Sequence, residues 1–165
     1  MLDKQVKKLL NDQITNEYAS AYLYLDFANF FYQKGLDGFG HWYDLQAREE
    51  VEHADLIRRY LIENGEEAKL KDIKGPAGEY KDAAEVLKLA LEHERLITSW
   101  INKIYETAVE KKDYRTQEFC HWFIKEQMEE EVNAVALIEK YATFAKDCAG
   151  LYALNQELAK RGAEA

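Results

Sequence analysis

Proline and glycine are scarce in this chain, and their scarcity is the feature that most limits how it can fold. The 165 residues include one proline and eight glycines. Sheet-rich domains need more turn residues than this, because tight turns depend on glycine, proline and short polar side chains. The one proline, Pro76, lies in segment 66–81, which shows no helical period. The sequence therefore predicts a single all-α domain, residues 1–165, built from long, uninterrupted helices.

Helical periodicity and helix-end signals predict four long helices and one short helix. The four long helices form a core over about residues 3–146, and the short fifth helix follows Gly150. Asp82 and Asp113 are good N-caps for the third and fourth helices. The predicted bounds are about residues 3–34, 38–63, 82–112, 113–146 and 151–160.

The lengths of the connections predict the topology. The first two long helices are joined by a few residues, as are the last two, so each pair should form an antiparallel hairpin. The middle connection, of about 16 residues, could span roughly 50 Å, which exceeds the roughly 38 Å of a 25-residue helix. It can therefore run the length of the bundle and leave the second and third helices parallel. The alternative is a simple up-down bundle with a loose loop, although long unstructured loops are uncommon.

The charge balance limits the partners of the chain. Lys and Arg number 22 and Asp and Glu number 31, so the net charge is 22 − 31 = −9. An acidic chain argues against nucleic acid or an anionic membrane, because either needs a basic face. No apolar run approaches the roughly 18 residues of a membrane span, and the N-terminus lacks the features of a signal peptide. Cys120 and Cys148 lack C-x-x-C spacing and favour reduced thiols in a cytoplasmic protein.

Glutamates occupy positions where a helical bundle would place leucine. Each long helix has an apolar stripe at steps of three and four residues. Every stripe is interrupted by glutamate, and the interrupting residues are Glu17, Glu50, Glu94 and, on the fourth helix, Gln127 with Glu130. Burying an unpaired carboxylate costs several kcal/mol, and no Lys or Arg lies on these stripes at the same level. A cation site is the simplest way to neutralise the four carboxylates.

The four glutamates are predicted to lie at similar heights in the bundle. Glu94 and Glu130 are each about 17 residues from the turn between their helices, which is roughly 25 Å. Glu17 is a similar distance from the turn between the first two helices, and Glu50 is somewhat closer to it. The long connection puts these two turns at opposite ends, so the glutamates should meet near the middle of the bundle.

A Glu-x-x-His pair adds an imidazole at this level. His53 follows Glu50 by three residues and shares nearly the same helix face, a spacing that brings a carboxylate and an imidazole to one metal. A second copy, Glu118 with His121, begins about one turn into the fourth helix and off its stripe, so we do not assign it to the site. A mostly oxygen-donor set suits Mn or Fe better than Zn. Two ions could share a bridging carboxylate, and Glu50 is best placed for that role.

Four segments around these residues carry a resemblance to a known family. They are NEYAS at 16–20, AREEVEH at 47–53, EHERLIT at 92–98 and KEQMEEE at 125–131. In order, spacing and context, the chain resembles the non-haem bacterial ferritins over essentially its full length. The resemblance implies a ferritin-like four-helix bundle with one long crossover between the second and third helices and a short fifth helix.

The resemblance also implies roles for individual residues. It assigns a first iron to Glu17, Glu50 and His53. It assigns a second iron to Glu50, Glu94 and Glu130. The remaining implied roles are a place beside the two irons for Gln127, a hydrogen-bonding or electron-donating role for Tyr24, and a third iron site at Glu49, Glu126, Glu129 and Glu130.

The family stores iron: it oxidises Fe(II) with O2 or peroxide and deposits ferric oxyhydroxide inside a hollow homo-oligomer of 24 subunits. The resemblance implies the same ferroxidase activity and assembly here. Val51 stands where bacterioferritins carry a haem-ligating methionine, so we expect iron but no haem. Asn133 follows Glu130 where a symmetric di-iron enzyme carries histidine. The second iron site is therefore expected to be weaker than the first.

Two other hypotheses fit parts of the sequence. One is a small di-iron or manganese redox enzyme that acts on peroxide or an organic substrate without storing iron. The absent second histidine and the short fifth helix argue against it. The other is a purely structural helical bundle, which would take up no metal.

Overall fold

The protein is a bundle of helices in the computed structural model, which describes residues 2–76 and 78–162. Within these ranges there are five helices and no strands. The helices are α1 (Lys4–Gln33), α2 (Asp37–Glu63), α3 (Ala83–Glu110), α4 (Tyr114–Phe144) and α5 (Cys148–Leu158). The predicted all-α fold with a short fifth helix is confirmed. None of the described helices is both long enough and apolar enough to cross a membrane.

Aspartate is the N-cap residue of four of the five helices. In each case the side chain accepts a hydrogen bond from a backbone N–H in the first helical turn, which satisfies a donor that has no partner within the helix. These caps are Asp3, Asp82, Asp113 and Asp147. The caps predicted at Asp82 and Asp113 are therefore present.

The start of α5 differs from the prediction. The helix begins at Cys148, three residues before the expected start, and Gly150 lies in its first turn. A Cβ atom on Gly150 would lie 1.8 Å from the carbonyl oxygen of Phe144. Gly150 therefore does not separate two helices. It allows the first turn of α5 to pass against the end of α4.

The long connection between α2 and α3 runs alongside α1 and is hydrogen-bonded to it. The Asn11 side chain accepts a hydrogen bond from Lys69 N at 2.6 Å and donates one to Glu67 O at 3.2 Å. Further along, the Tyr80 hydroxyl donates to the Asp26 carboxylate. Asn11 and Asp26 are about 22 Å apart along a helix. The connection therefore spans much of the bundle length, as the one-crossover topology requires, and it is not a loose loop.

Two apolar clusters fill the two ends of the bundle. The N-terminal cluster combines the start of α1, the ends of α2 and α3, and the start of α4. Its buried members are Val6, Leu10, Ile14, Ile57, Leu61, Ile97, Ile101, Ile104, Cys120 and Phe123. The α5-end cluster combines the opposite ends of the same helices with α5, and its members include Phe27, Phe31, Phe39, Tyr43, Val86, Leu87, Leu137, Leu154 and Leu158. Because α2 and α3 finish in one cluster, these two helices are parallel.

A layer of buried polar side chains lies between the two clusters. Each of the four long helices contributes to this layer where its apolar stripe is interrupted. Its members are Gln13, Glu17, Gln46, Glu50, His53, Glu94, Gln127 and Glu130, all of which are buried. The bundle therefore has a polar middle enclosed by two apolar ends.

Candidate metal centre

Three donors from α1 and α2 form the tightest group in the polar layer. One ligand atom each from Glu17, Glu50 and His53 lies within 4.8 Å of the other two. The Nδ1 atom of His53 is 3.6 Å from Oε2 of Glu50. All three side chains are buried. The spacing in α2 brings Glu50 and His53 to one face, and the packing of α1 adds Glu17.

The carboxylates of this group are incompletely satisfied. Gln13 donates a hydrogen bond to Oε1 of Glu17 at 2.8 Å. The Oε2 atoms of Glu17 and Glu50 are buried and accept no hydrogen bond within residues 2–76 and 78–162. Burial and the neighbouring Glu50 raise the pKa of Glu17 well above its usual range, and burial raises the pKa of Glu50 to about 8. The pair therefore needs protons or a cation to balance its charge.

Glu94 enters the polar layer from α3 and is held by two neutral donors. The Tyr24 hydroxyl donates a hydrogen bond to Oε1 of Glu94. The Gln127 amide donates to Oε2 at 3.0 Å. Burial, reinforced by the charge of Glu130, raises the pKa of Glu94 well above its usual range. The predicted site residues Tyr24 and Gln127 thus both contact the same candidate ligand.

Glu130 is the carboxylate that α4 contributes to the polar layer. It lines a cavity together with Glu94, Tyr24 and Gln46. The Gln46 amide donates a hydrogen bond to Oε2 of Glu130 at 2.8 Å. Burial raises the pKa of Glu130 to about 7, although the hydrogen bond from Gln46 acts in the opposite direction. Glu94 of α3 and Glu130 of α4 therefore line the same cavity.

The residues expected at a third ion site are placed unequally. Oε1 of Glu126 is 3.9 Å from Nε2 of His53. Both oxygens of Glu49 accept hydrogen bonds from the Arg161 guanidinium, at 2.9 Å each. Glu129 is exposed on α4. The structure thus brings Glu49 and Glu126 to the edge of the buried layer and leaves Glu129 at the surface.

Sequence reasoning missed Gln13, Gln46 and Arg161. Gln13 and Gln46 each lie four residues before a stripe glutamate, so a search for amides one helical turn from Glu17 and Glu50 would have found them. Arg161 follows α5, and no spacing in the chain links it to Glu49, which is 112 residues away.

The donor set suits a hard cation. It consists of four carboxylates and one imidazole, it is buried, and two of its oxygens have no hydrogen-bond partner within the described residues. Oxygen-rich sets of this kind are typical of Mn and Fe sites, whereas zinc prefers nitrogen and sulfur in a closed tetrahedron. Four carboxylates can also balance more than one ion. The arrangement is therefore suited to binding one or two metal ions between the helices.

Comparison with known proteins agrees with this architecture. A family model described as a ferritin-like domain matches residues 7–144. The chain is 37% identical over 158 residues to a "probable bacterial non-heme ferritin-like protein" of Haemophilus influenzae, and covers 96% of each chain. It is 36% identical over 156 residues to a "bacterial non-heme ferritin" of Campylobacter jejuni, covering 94% of this chain and 93% of that one.

Solved structures show the same likeness. An Archaeoglobus fulgidus ferritin engineered into a closed form matches with a TM-score of 0.96 and 34% identity, over 99% of this chain and 100% of that one. An open pore ferritin of the same organism matches with a TM-score of 0.95 and 34% identity, over 98% of each chain. The polar layer, the crossover and these full-length matches lead to one conclusion: the chain belongs to the ferritin family, among the non-haem bacterial ferritins.

Proposed function

We propose that this protein stores iron, and that it oxidises Fe(II) in the polar layer before depositing it as a ferric mineral. The observation that carries the proposal is the meeting of four buried glutamates from four helices, two of which have an oxygen without a hydrogen-bond partner among the described residues. The relatives named non-heme ferritins support it. Iron is the substrate and the stored cargo. No haem is part of the proposal.

The two ions are proposed to bind on either side of Glu50. Glu17 and His53 would join Glu50 at the first ion, where three donor atoms already lie within 4.8 Å of one another. Glu94 and Glu130 would join Glu50 at the second ion. Each Fe(II) would give one electron and become Fe(III). The two electrons, together with two protons, would reduce one O2 to hydrogen peroxide, or one hydrogen peroxide to two waters. The second ion has no histidine, so it should exchange more readily and pass iron onward.

Neighbouring side chains would orient the ligands. The Tyr24 hydroxyl and the Gln127 amide hold the two oxygens of Glu94 in the observed rotamer. Tyr24 is also proposed to lend an electron or a proton during oxidation, and the hydrogen bond from its hydroxyl to Glu94 supports this role. Glu49, Glu126 and Glu130 are proposed to accept a third ion, and Glu129 would have to turn inward to join them.

Storage requires an enclosed space, so we propose that 24 copies form a hollow shell. A shell of 24 subunits would have a mass of about 460 kDa, since one chain has a mass of 19.3 kDa. The two cysteines, Cys120 and Cys148, are free, which is consistent with the proposed cytoplasmic location. The alternative function, a small manganese or di-iron enzyme acting on peroxide, predicts a dimer with a mass near 40 kDa. Size-exclusion chromatography with light scattering distinguishes the two.

Oxidation kinetics test the assignment of the centre. Fe(II) is mixed anaerobically with the protein, O2 is added, and ferric absorbance is followed. Glu17→Ala and Glu94→Ala should each slow the first phase sharply, since each removes a ligand from a different ion. Glu118→Ala is the matched control on exposed α4 surface and should keep the wild-type rate. If both ligand variants oxidise iron at the wild-type rate, the site assignment is wrong.

A further inference from the structure

Arg161 connects the end of the chain to the edge of the metal centre. It lies three residues beyond α5, yet its side chain is only 13% exposed. Its guanidinium lies 4.2 Å from the ring centroid of Trp42. Its carbonyl oxygen is 2.8 Å from Nε2 of His41. Two contacts from α2 therefore hold Arg161 in place, in addition to its ion pair with Glu49.

The ion pair between Arg161 and Glu49 involves both carboxylate oxygens of Glu49. One guanidinium nitrogen, Nη2, lies 2.9 Å from each carboxylate oxygen of Glu49. Glu49 is one of the carboxylates proposed for the third ion, beside Glu50 in the chain. A guanidinium is permanently charged, so it takes an acceptor site on each carboxylate oxygen and also repels an incoming cation. Because the pair is mostly shielded from solvent, salt screens it less than an exposed pair.

A second contact continues from Arg161 to a proposed iron ligand. Nη1 of Arg161 donates to Oε1 of Gln46 at 2.5 Å, and Nε2 of Gln46 donates to Oε2 of Glu130 at 2.8 Å. A glutamine amide has one acceptor end and one donor end. The guanidinium on the oxygen therefore directs the amide nitrogen of Gln46 toward Glu130. Arg161 thus acts directly on Glu49, which is proposed for the third ion, and through Gln46 on Glu130, which is proposed for the second and third ions.

We propose that Arg161 is an intramolecular counter-cation that a third iron ion must displace from Glu49. The inference rests on the proposed ferroxidase function and adds a regulatory element to it. While Arg161 holds Glu49, the polar layer retains two ions. When an ion takes Glu49, the guanidinium moves away and its hold on Gln46 is released. The segment that follows α5 therefore sets the affinity of the third ion.

The test measures Fe(II) binding before oxidation. Anaerobic titration calorimetry on the assembled wild type should show two tighter ions and one weaker ion per subunit. Arg161→Gln removes the charge, and the third ion should bind at least about tenfold more tightly, which corresponds to about 1.4 kcal/mol. Arg161→Lys keeps the charge without the planar guanidinium and should lie between the two. Lys160→Gln, an exposed neighbour with the same charge change, should match the wild type.

A double variant separates displacement from a general structural effect. In Arg161→Gln/Glu49→Gln the gain in third-ion affinity should disappear, because the carboxylate that Arg161 had occupied is gone. An unchanged third-ion affinity in Arg161→Gln, with the first two ions retained, overturns the inference and leaves the ferroxidase function standing. Loss of the first two ions in Arg161→Gln and in Arg161→Lys also overturns it, since Arg161 would then only support the fold. If the wild type binds no Fe(II), the proposed function itself fails.

Discussion

Two Glu-x-x-His pairs with the same spacing lie in very different places. In α2, the side chains of Glu50 and His53 are 1% and 6% exposed, and their nearest polar atoms are 3.6 Å apart. In α4, the side chains of Glu118 and His121 are 84% and 50% exposed, and the corresponding distance is 3.2 Å. The exposed pair has the shorter contact. Distance within the pair therefore does not identify a metal site.

The neighbours of each pair account for the difference. Glu50 meets the carboxyl of Glu17 from α1, and the His53 ring packs against Trp122 and Phe123. Water cannot balance the charges there, so a cation or protons must do so. Within the described residues, the one ring contact of His121 is with Tyr105, whose ring is tilted against it. The Glu118 side chain is mostly exposed to solvent. Burial and a second carboxylate, rather than the tetrapeptide, make the α2 pair a candidate ligand pair.

The largest expected difference between the pairs is in iron oxidation. His53→Ala should lower the initial rate of Fe(II) oxidation by about 100-fold or more, since even the loss of a group that only orients a ligand costs about 10- to 100-fold. His121→Ala makes the same chemical change on the exposed pair and should leave the rate unchanged. Stopped-flow absorbance after O2 addition measures both. Equal losses in the two variants would mean that the α4 pair also binds reacting iron.

The second difference is in how stability depends on pH. Burial raises the pKa of Glu50 from 4.5 in the unfolded chain to about 8 in the folded protein. Between these values the folded state holds a proton that the unfolded state has released, so stability falls as pH rises. In metal-free protein this loss is of the order of a few kcal/mol, since one pKa unit is worth about 1.4 kcal/mol. Above about pH 8 the contribution of Glu50 to this loss should level off.

Chemical denaturation of metal-free protein at pH 6.5 and pH 8 measures the part of this loss that falls between these two values, which is at most about 2 kcal/mol for one group. The window begins at pH 6.5 because burial lowers the pKa of His93 to about 4, and that group has the opposite effect at lower pH. Glu50→Gln should make the dependence less steep, whereas Glu118→Gln should leave the slope unchanged. Part of the dependence should persist in Glu50→Gln, because the pKa values of Glu17, Glu94 and Glu130 are also raised. A wild type and a Glu50→Gln variant with the same slope would show that Glu50 is ionised in the folded metal-free protein.

The smallest difference concerns the exposed pair itself. Glu118→Gln removes one charge from a pair that is screened by water, and exposed pairs contribute at most about 1 kcal/mol. The variant should therefore change the free energy of unfolding by less than about 1 kcal/mol, as measured by denaturation at pH 7. A larger loss would indicate that Glu118 and His121 are buried in the assembled protein.

The burial of the glutamates that interrupt the apolar stripes could be predicted, because it follows from helical geometry. A period of 3.6 residues places Glu17, Glu50, Glu94 and Glu130 on the inward face of each helix, and all four are buried. Their roles as iron ligands remain predictions. The crossover could also be predicted, because a connection of that length can span a helix. The start of α5 was predicted three residues late, since Gly150 was interpreted as a break when it permits close packing.

The all-α fold, the inward face of each helix and the level at which carboxylates interrupt the apolar stripes could all be predicted from the sequence alone. These properties depend on chain stiffness and helical period, which are local. The contacts between polar groups on different helices became visible only in the folded protein. Gln46 reaches Glu130 because α2 and α4 face each other across the bundle, and Arg161 reaches Glu49 because the chain beyond α5 returns along α2. Such pairings depend on the packing of whole helices, and no local rule of sequence encodes them.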